Sequence, residues 1–433
     1  MLSYDAPMST HTSLQPDFEG DVVIAGGGLA GLTLALALHK AGLSVGVADG
    51  LPIDTQLEEI FDGRSSALAY TSFRMLDAVG AGVHLRPHTQ RIEDILVVDG
   101  RPEDGVKAGG PGPFCLHFDR REIHPKDDGE PLGYMAENRH TRMALAKASE
   151  EAKLSVFAPD RALHMNAHAS HADLHLASGK VLRAQVIIAC DGKYSTLRDQ
   201  AGIRTTGWSY GQSGLVCAVQ HDQPHQGVAY EYFMPGGPFA ILPLPGNRSS
   251  LVWTERTKAA EALQTMDIEP FHEALRARFG DFLGEVSLDS PRWCYPLGLK
   301  LAERFIDERL VLVGDAARAI HPIAGQGFNL GVRDGAALAD ILVEAKRTGL
   351  DLGSQPVLSR YERWRKTDSL ALVAGTDLFT RLYSNDHSLI RLGRGLGMQM
   401  VDQIPLARRF FARTAGGETG DLPTLLRGEP LSV

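Results

Sequence analysis

The apolar positions of this chain keep two different rhythms. Near the start, Val22–Ala25 ("VVIA") is an unbroken apolar run, the pattern of a strand buried on both faces of a parallel sheet. Leu29–Ala41 follows with helical spacing, Gly42 suits the helix stop, and Ser44–Ala48 ("SVGVA") reads as a second strand. Two later runs, Val186–Cys190 ("VIIAC") and Arg309–Val313 ("RLVLV"), have the same character, and each leads through turn residues into a helix-like stretch. The second rhythm lies between them. The runs "RIEDILVVDG", "FCLHFD", "SGLVCAVQ", "VAYEYFMP", "GPFAILPLP" and "SSLVWTE" are strand-like and separated by turn signals, which predicts an antiparallel sheet. The prediction is an α/β chain whose parallel, Rossmann-like domain is interrupted by an antiparallel one.

Composition changes this picture little. The chain has 433 residues, 43% of them hydrophobic, enough for a large core and two domains sharing one site. A formal net charge of -9 argues against a nucleic-acid partner, which calls for a basic domain. It leaves an anionic cofactor open, because backbone dipoles bind phosphate without net positive charge. Cys115, Cys190, Cys217 and Cys294 lack metal-ligand or CxxC spacing and read as scattered thiols of a reducing compartment. Residues 1–20 read as a polar, flexible lead-in without signal or transit character. The apolar run "GLTLALAL" ends at His39, too short for a membrane span.

The chemistry starts in the first βαβ unit. Gly26, Gly28 and Gly31 form G-x-G-x-x-G between strand and helix, and Asp49 ends the second strand about 20 residues on. Gly26 permits the tight turn, Gly28 admits a pyrophosphate to the backbone, and Gly31 lets helix and strand pack closely. Asp49 can accept hydrogen bonds from an adenosine ribose. These residues alone leave NAD and FAD both open.

Two further motifs bear on that choice. "VIIACDGKYSTLRDQAGI" contains Asp191, Ser195 and Arg198, and "GDAARAIHPIAGQGFNLG" spans Gly314–Gly331. In this order and spacing, the three motifs resemble the class A flavoprotein aromatic hydroxylases. The spelling is similar to the ubiquinone-biosynthesis hydroxylases, the UbiH-like branch, in "FDGRSSALAYTSFRMLDAVG", "LGYMAENR" and "HPIAGQGFNLGVRDGAALADIL". The resemblance implies a 4-hydroxybenzoate-hydroxylase-like fold. The FAD-binding domain would comprise residues 21–85, 130–205 and 297–345; the substrate domain, 86–129 and 206–296; the helical C-terminal region, 346–433.

The resemblance also implies an FAD site. Asp315 would hold the ribityl chain, and Pro322, Gly325, Gln326 and Gly327 would line the flavin ring. Arg64 would meet the FAD backbone, with Arg139 a further contact, Arg142 its rival, and Asp191 supporting FAD placement. NADPH or NADH would be the reductant; the residues do not separate them, and the resemblance favours NADPH. No second βαβ phosphate fingerprint appears, so the reductant would bind transiently, without a Rossmann domain of its own. The implied substrates are O2 and a polyprenylated phenol or benzoquinol, hydroxylated through a flavin C4a-hydroperoxide. Relatives often carry His where this chain has Arg318, so no proton-handling role is transferred there. His321 is as readily a loop-orienting residue, so no catalytic base is assigned. No metal cluster is evident. Phe239, Ile241 and Leu242 are candidates to border the prenyl tail. A basic, amphipathic C-terminal segment with Arg391, Arg394, Arg408, Arg409 and Arg413 could touch an inner-membrane surface or a quinone-biosynthesis complex, or pack on the FAD domain. Competing readings are a hydroxylase of soluble aromatics or polyketides and a non-catalytic flavoprotein scaffold. The tryptophans lack the W-x-W-x-I-P signature of flavin halogenases.

Overall fold

A computed structural model describes residues 15–58, 62–100, 115–125, 129–234, 236–320, 326–383, 397, 401 and 403–432. One sheet runs in the order Ile306–Asp307, Leu310–Leu312, Val181–Ala189, Phe18–Ala25, Val45–Ala48, Ser155–Phe157. Its central pairs are all parallel. Val22–Ala25, Val186–Ala189 and Leu310–Leu312 are almost fully buried, as unbroken apolar runs between two helical layers must be. Phe18–Gly20 extend the first strand into the stretch expected to be lead-in, where Phe18 packs edge-on against Phe157. A hairpin, Ala162–Ala167 and Ala172–Leu176, pairs antiparallel to the early half of Val181–Ala189, beside Leu310–Leu312 on the same edge.

The helix Leu29–Lys40 ends where the sequence predicts, with Ala41 as its cap residue. The long helix Gln326–Arg347 packs against it. Small residues make that approach possible: a Cβ on Gly331 would lie 3.2 Å from Ala30, and one on Gly335 3.4 Å from Leu34.

A nine-stranded sheet forms the second layer system. It runs from Arg318–Ala319 through Trp293–Ala302, Thr205–His221, Arg248–Arg256, Gly237–Leu244, Val228–Met234 and Asp94–Asp99 to Cys115–Asp119, with Val286–Leu288 beside Thr205–His221. It is antiparallel with one exception: Asp94–Asp99 pairs parallel to Val228–Met234. A hairpin forces antiparallel pairing, but the chain leaving Asp99 passes through the other domain before returning at Val228, and a long crossover permits parallel pairing. The run "RIEDILVVDG" also divides. Thr89–Ile92 joins a separate three-stranded sheet with Ser65–Ala69 and Gly133–Glu137, and Glu93 turns the chain into the larger sheet.

Side-chain alternation sets what each face of the large sheet touches. Phe239 and Ile241 point outward with Leu215, Cys217, Leu251 and Trp253, into a core closed by Phe271, Leu275 and Phe279 of the helix Ile268–Phe279. Leu242 and Leu244 point the other way, toward Ile92 and Met135 of the three-stranded sheet. The expectation that Phe239, Ile241 and Leu242 border one pocket is thus corrected: a step of one residue changes face, and only Leu242 lies on the inner side.

Candidate functional site

The parallel strands all end at one edge, and the three motifs meet there. Gly26 N–H donates to Ala48 O (2.7 Å), Cys190 N–H to Ala25 O (2.7 Å), and Val313 N–H to Ala189 O (3.0 Å). In open α/β sheets, the crevice outside the carboxyl ends of the strands is where ligands bind.

The glycines there serve different needs. Gly26 has φ +109°, and a Cβ on it would lie 2.3 Å from Cys190 O. A Cβ on Gly31 would fall 1.9 Å from Gly26 O. Both are required by the protein's own packing. Gly28 is different: its φ is -71°, and a Cβ there would meet nothing within 4 Å. Neither strain nor crowding demands glycine at 28; the backbone there lies open, with room for a ligand to approach. Gly28 is also the N-cap of Leu29–Lys40, which has no side-chain cap and no acid in its first turn. Its leading N–H groups are therefore suited to a phosphate.

Asp49 accepts from Gly27 N–H (2.6 Å) through one oxygen and from Leu51 N–H (2.8 Å) through the other. A cavity of about 340 Å³ opens beside it, lined by Gly27, Leu32, Gln56, Arg142 and Val156 among others. Its lining includes Arg142 and not Arg139, which sits half-buried on the same helix, Asn138–Glu151. Both Arg142 and Arg64 converge on Asp62. Arg64 pairs with it through two bonds (2.8 and 2.9 Å), and Arg142 Nη2 lies 2.7 Å away. Burial pushes the Asp62 carboxyl up, but Arg64 and Arg142 outweigh that and hold it well below the usual carboxylate range. The Arg64 side chain remains half exposed, over the ring of Tyr295 at 5.2 Å.

Asp315 is solvent-accessible yet surrounded by protein, as a group on the floor of a cleft is. Loss of bulk water raises its pKa, against the charges of Arg64, Arg318 and Lys193. Arg64 from the first third and Asp315 from the last thus face one space. Asp191 is divided: Oδ2 caps the helix Thr196–Gln200 by accepting from Thr196 N–H (2.8 Å), while Oδ1 is buried without a hydrogen-bond partner. Burial raises its pKa. Pro322 and Gly325, like His321, lie outside the described residues, as does the side chain of Gln326; Gly327 is exposed in the first turn of its helix.

An open backbone at Gly28, an uncapped helix start, a cavity beside Asp49 and an orphaned Asp191 oxygen fit a dinucleotide such as FAD. Gly28 and the helix start would take its pyrophosphate, Asp49 its ribose, and Asp315 with Arg64 the middle of the molecule.

One supporting residue, Asp334, lies outside the motifs; Arg198 and Asn329 lie inside them, but their partners could not be read from the sequence. Asp334, wholly buried in Gln326–Arg347, accepts four hydrogen bonds: from Gly314 N–H (3.1 Å), Arg318 Nη1 (2.8 Å) and Nη2 (2.9 Å), and Arg365 Nε (2.8 Å). Burial opposes its charge, but Arg318 and Arg365 hold it ionised. The acid therefore fixes the backbone one residue before Asp315. Its signal was an acid inside the apolar ladder Leu330, Asp334, Leu338. Arg198, 1% exposed, donates to both Lys193 O and Ala316 O (3.1 Å each), tying the middle motif to the last. Asn329 grips Ala67 O (2.8 Å) and Ala69 N–H (2.9 Å). On the inner face of the large sheet, Glu231 shares a side with Ala229 and Phe233, and burial alone pushes its carboxyl up to about 7.

Comparison with known proteins agrees with this geometry. Residues 19–375 match the FAD binding domain family. The chain is 42% identical to the ubiquinone hydroxylase UbiL of Rhodospirillum rubrum over 96% of its own length and 94% of that protein. It is 32% identical to the 3-demethoxyubiquinol 3-hydroxylase of Escherichia coli, covering 92% of this chain and 98% of that one. The crystal structure of p-nitrophenol 4-monooxygenase PnpA from Pseudomonas putida superposes with a TM-score of 0.75 at 19% identity, over 94% of this chain and 99% of that one. That likeness shows the fold. The chain belongs to the FAD binding domain family and is a flavoprotein hydroxylase of the UbiH-like, ubiquinone-hydroxylase group.

Proposed function

We propose that this protein hydroxylates the ring of a polyprenylated phenol or benzoquinol in ubiquinone biosynthesis, using FAD, O2 and NAD(P)H, with NADPH the preferred reductant. The carrying observation is the end-to-end similarity to ubiquinone hydroxylases, 42% identity over 96% of the chain. FAD, when bound, supplies the redox chemistry that activates O2. The chain's own part is positioning. Gly28 and the uncapped helix start would seat the pyrophosphate, and Asp334 and Arg198 set the loop that carries Asp315. On the inner face of the large sheet, Leu242 packs toward Ile92 and Met135, and Phe233 packs with Val97 and Leu116, apolar surface that would help to keep water from the ring.

Delivery of a lipid-soluble substrate favours a peripheral place on the cytoplasmic side of the inner membrane. Among the described residues, no helix is long and apolar enough to cross a membrane. The helix Pro405–Ala415 exposes Leu406 (77%), Phe410 (58%) and Phe411 (38%) beside Arg409 and Arg413, while Arg408 is held by Glu122 (2.7 Å). Arg391 and Arg394 lie outside the described residues. Sedimentation with anionic vesicles should carry down the wild type, and much less of Leu406→Ser/Phe410→Ser; equal sedimentation would remove the membrane role.

The main test is a quinone-lipid mass profile of cells lacking the chain. Accumulation of one under-hydroxylated prenylphenol, with ubiquinone lost, is the expected result. Unchanged ubiquinone together with turnover of a tail-free phenol would replace it with a soluble-aromatic hydroxylase. Flavin reduction by NADPH with no product from any prenylphenol would leave a scaffold.

A further inference from the structure

The hairpin Ala162–Ala167 and Ala172–Leu176 turns Leu174 and Leu176 into the main core. Its other face carries His164, Asn166 and His168 on one side and His171, Asp173 and His175 on the other, with Asn166 opposite Asp173 and His164 opposite His175. Four imidazoles around one carboxylate exceed what a solvated strand face needs. They stack in two pairs, His164 with His175 at 4.4 Å and His168 with His171 at 4.6 Å.

We propose that His168, His171 and Asp173 form a binding site for a borderline divalent cation of the zinc class. One ligand atom from each lies within 4.8 Å of the others. His168 Nε2 is 3.6 Å from Asp173 Oδ2, and His171 Nε2 is 3.9 Å from Asp173 Oδ1. Zinc–nitrogen bonds of about 2.1 Å in tetrahedral geometry require ligand atoms roughly 3.4 Å apart. Small side-chain rotations close that gap. Two imidazoles and a carboxylate are a suitable donor set for zinc, and the exposed side leaves the fourth position to water.

The frame around the ligands is already fixed. His168 N–H donates to His171 O (2.8 Å) across the turn. Arg309 braces the turn by donating to His168 O (2.6 Å) and to Ala169 O, and is itself held by Asp351. His171 Nδ1 is paired with Ser170 Oγ (3.2 Å), which orients the ring and leaves Nε2 for a metal. Arg183 binds both oxygens of Asp173 (2.7 and 2.9 Å). A carboxylate has about four lone-pair sites, so two remain for the cation. The nearby arginine charge weakens binding, so this is an exchangeable site.

Arg183 pairs with Asp173 six residues before Ala189, placing the site about 20 Å from the carboxyl edge of the sheet. The ion therefore acts by bracing the hairpin against Val181–Ala189, apart from the flavin chemistry.

The test uses untagged, flavin-loaded protein in equilibrium dialysis against zinc chloride, with cobalt(II) absorption reporting coordination. One ion per chain is expected, with the visible bands of tetrahedral cobalt. His168→Ala and His171→Ala should each weaken binding by about tenfold or more. His164→Ala, on the same face but outside the ligand set, should keep it. Absence of saturable binding by the wild type would overturn the site, as would undiminished binding by the His168→Ala/His171→Ala double variant. Loss in His164→Ala equal to that in His168→Ala would overturn this ligand set.

Discussion

The two sheets handle buried charge in opposite ways. Behind the carboxyl edge, Asp334 fills all its acceptor positions with two arginines and the Gly314 N–H, so the charge holds a loop in place. Against the nine-stranded sheet, Arg278 of the helix Ile268–Phe279 lies 4.9 Å from the Trp253 ring and 5.6 Å from Phe239 and reaches Glu255 with one nitrogen (2.7 Å). Its Nε and Nη2 are buried without hydrogen bonds, and burial lowers its pKa. One network holds the backbone beside Asp315; the other fills space inside an aromatic core. Carboxylates repeat the contrast. Asp315 is pushed up by burial but has Arg64, Arg318 and Lys193 to offset it, whereas Glu231 has burial alone.

The sharpest way to break this comparison is Asp334→Ala. It leaves the buried Arg318 without its acid and Arg365 with Asp368 alone, a cost of about 3–5 kcal/mol. Urea denaturation should show that loss, and the protein should come off a desalting column without flavin. The paired replacement Arg278→Met/Glu255→Gln should change stability by about 1 kcal/mol or less and retain flavin. Flavin loss in the second variant would erase the distinction drawn between the regions.

A second pair separates glycines needed by the fold from one needed by the ligand. Gly31→Ala must displace the Gly26 carbonyl and should cost about 1–3 kcal/mol of stability. Gly28→Ser places a good N-cap residue in open space, so stability should hold or rise slightly. Flavin affinity should nevertheless fall by about tenfold, near 1.4 kcal/mol, read by fluorescence titration of the apoprotein. Unchanged affinity would mean that no phosphate approaches Gly28.

Glu231 gives an effect confined to part of the pH range, and its sign is fixed. Its folded pKa of about 7 lies above its ordinary 4.5, so between these values the folded state binds more protons than the unfolded one. Stability contributed by this group therefore falls as pH rises through that window and stays lowered above 7. Glu231→Gln should gain on the order of 1–2 kcal/mol relative to wild type at pH 8 and almost nothing at pH 4.5. Parallel urea midpoints of the two proteins across pH would show that another group carries the effect.

What the sequence made legible follows the same division. The parallel strands and the glycine loop were readable because backbone geometry demands particular residues at particular spacings, as at Gly26 and Gly31. Asp334 and Arg365 were not, because they are 31 positions apart and meet only when two helices pack. The large sheet was visible as alternation, but alternation does not say which face looks inward. That choice is made by Ile92 and Met135 of another sheet, so Phe239 and Leu242 were grouped although they point apart. The four histidines likewise converge only when the hairpin brings His164 opposite His175.

The Asn329 clasp has a consequence for biosynthesis. It joins Ala67 to a residue 262 positions later, and the strand Phe18–Ala25 is flanked by Val181–Ala189, whose other neighbour is Leu310–Leu312. At about 5–20 residues per second, the ribosome needs roughly 15–70 s to pass residue 329. Until then the nascent chain holds its phosphate loop with no partner for the opposite wall. Flavin bound across both walls would therefore have to wait until residue 329 has emerged, and the earlier apolar strands are exposed to aggregation in the interval.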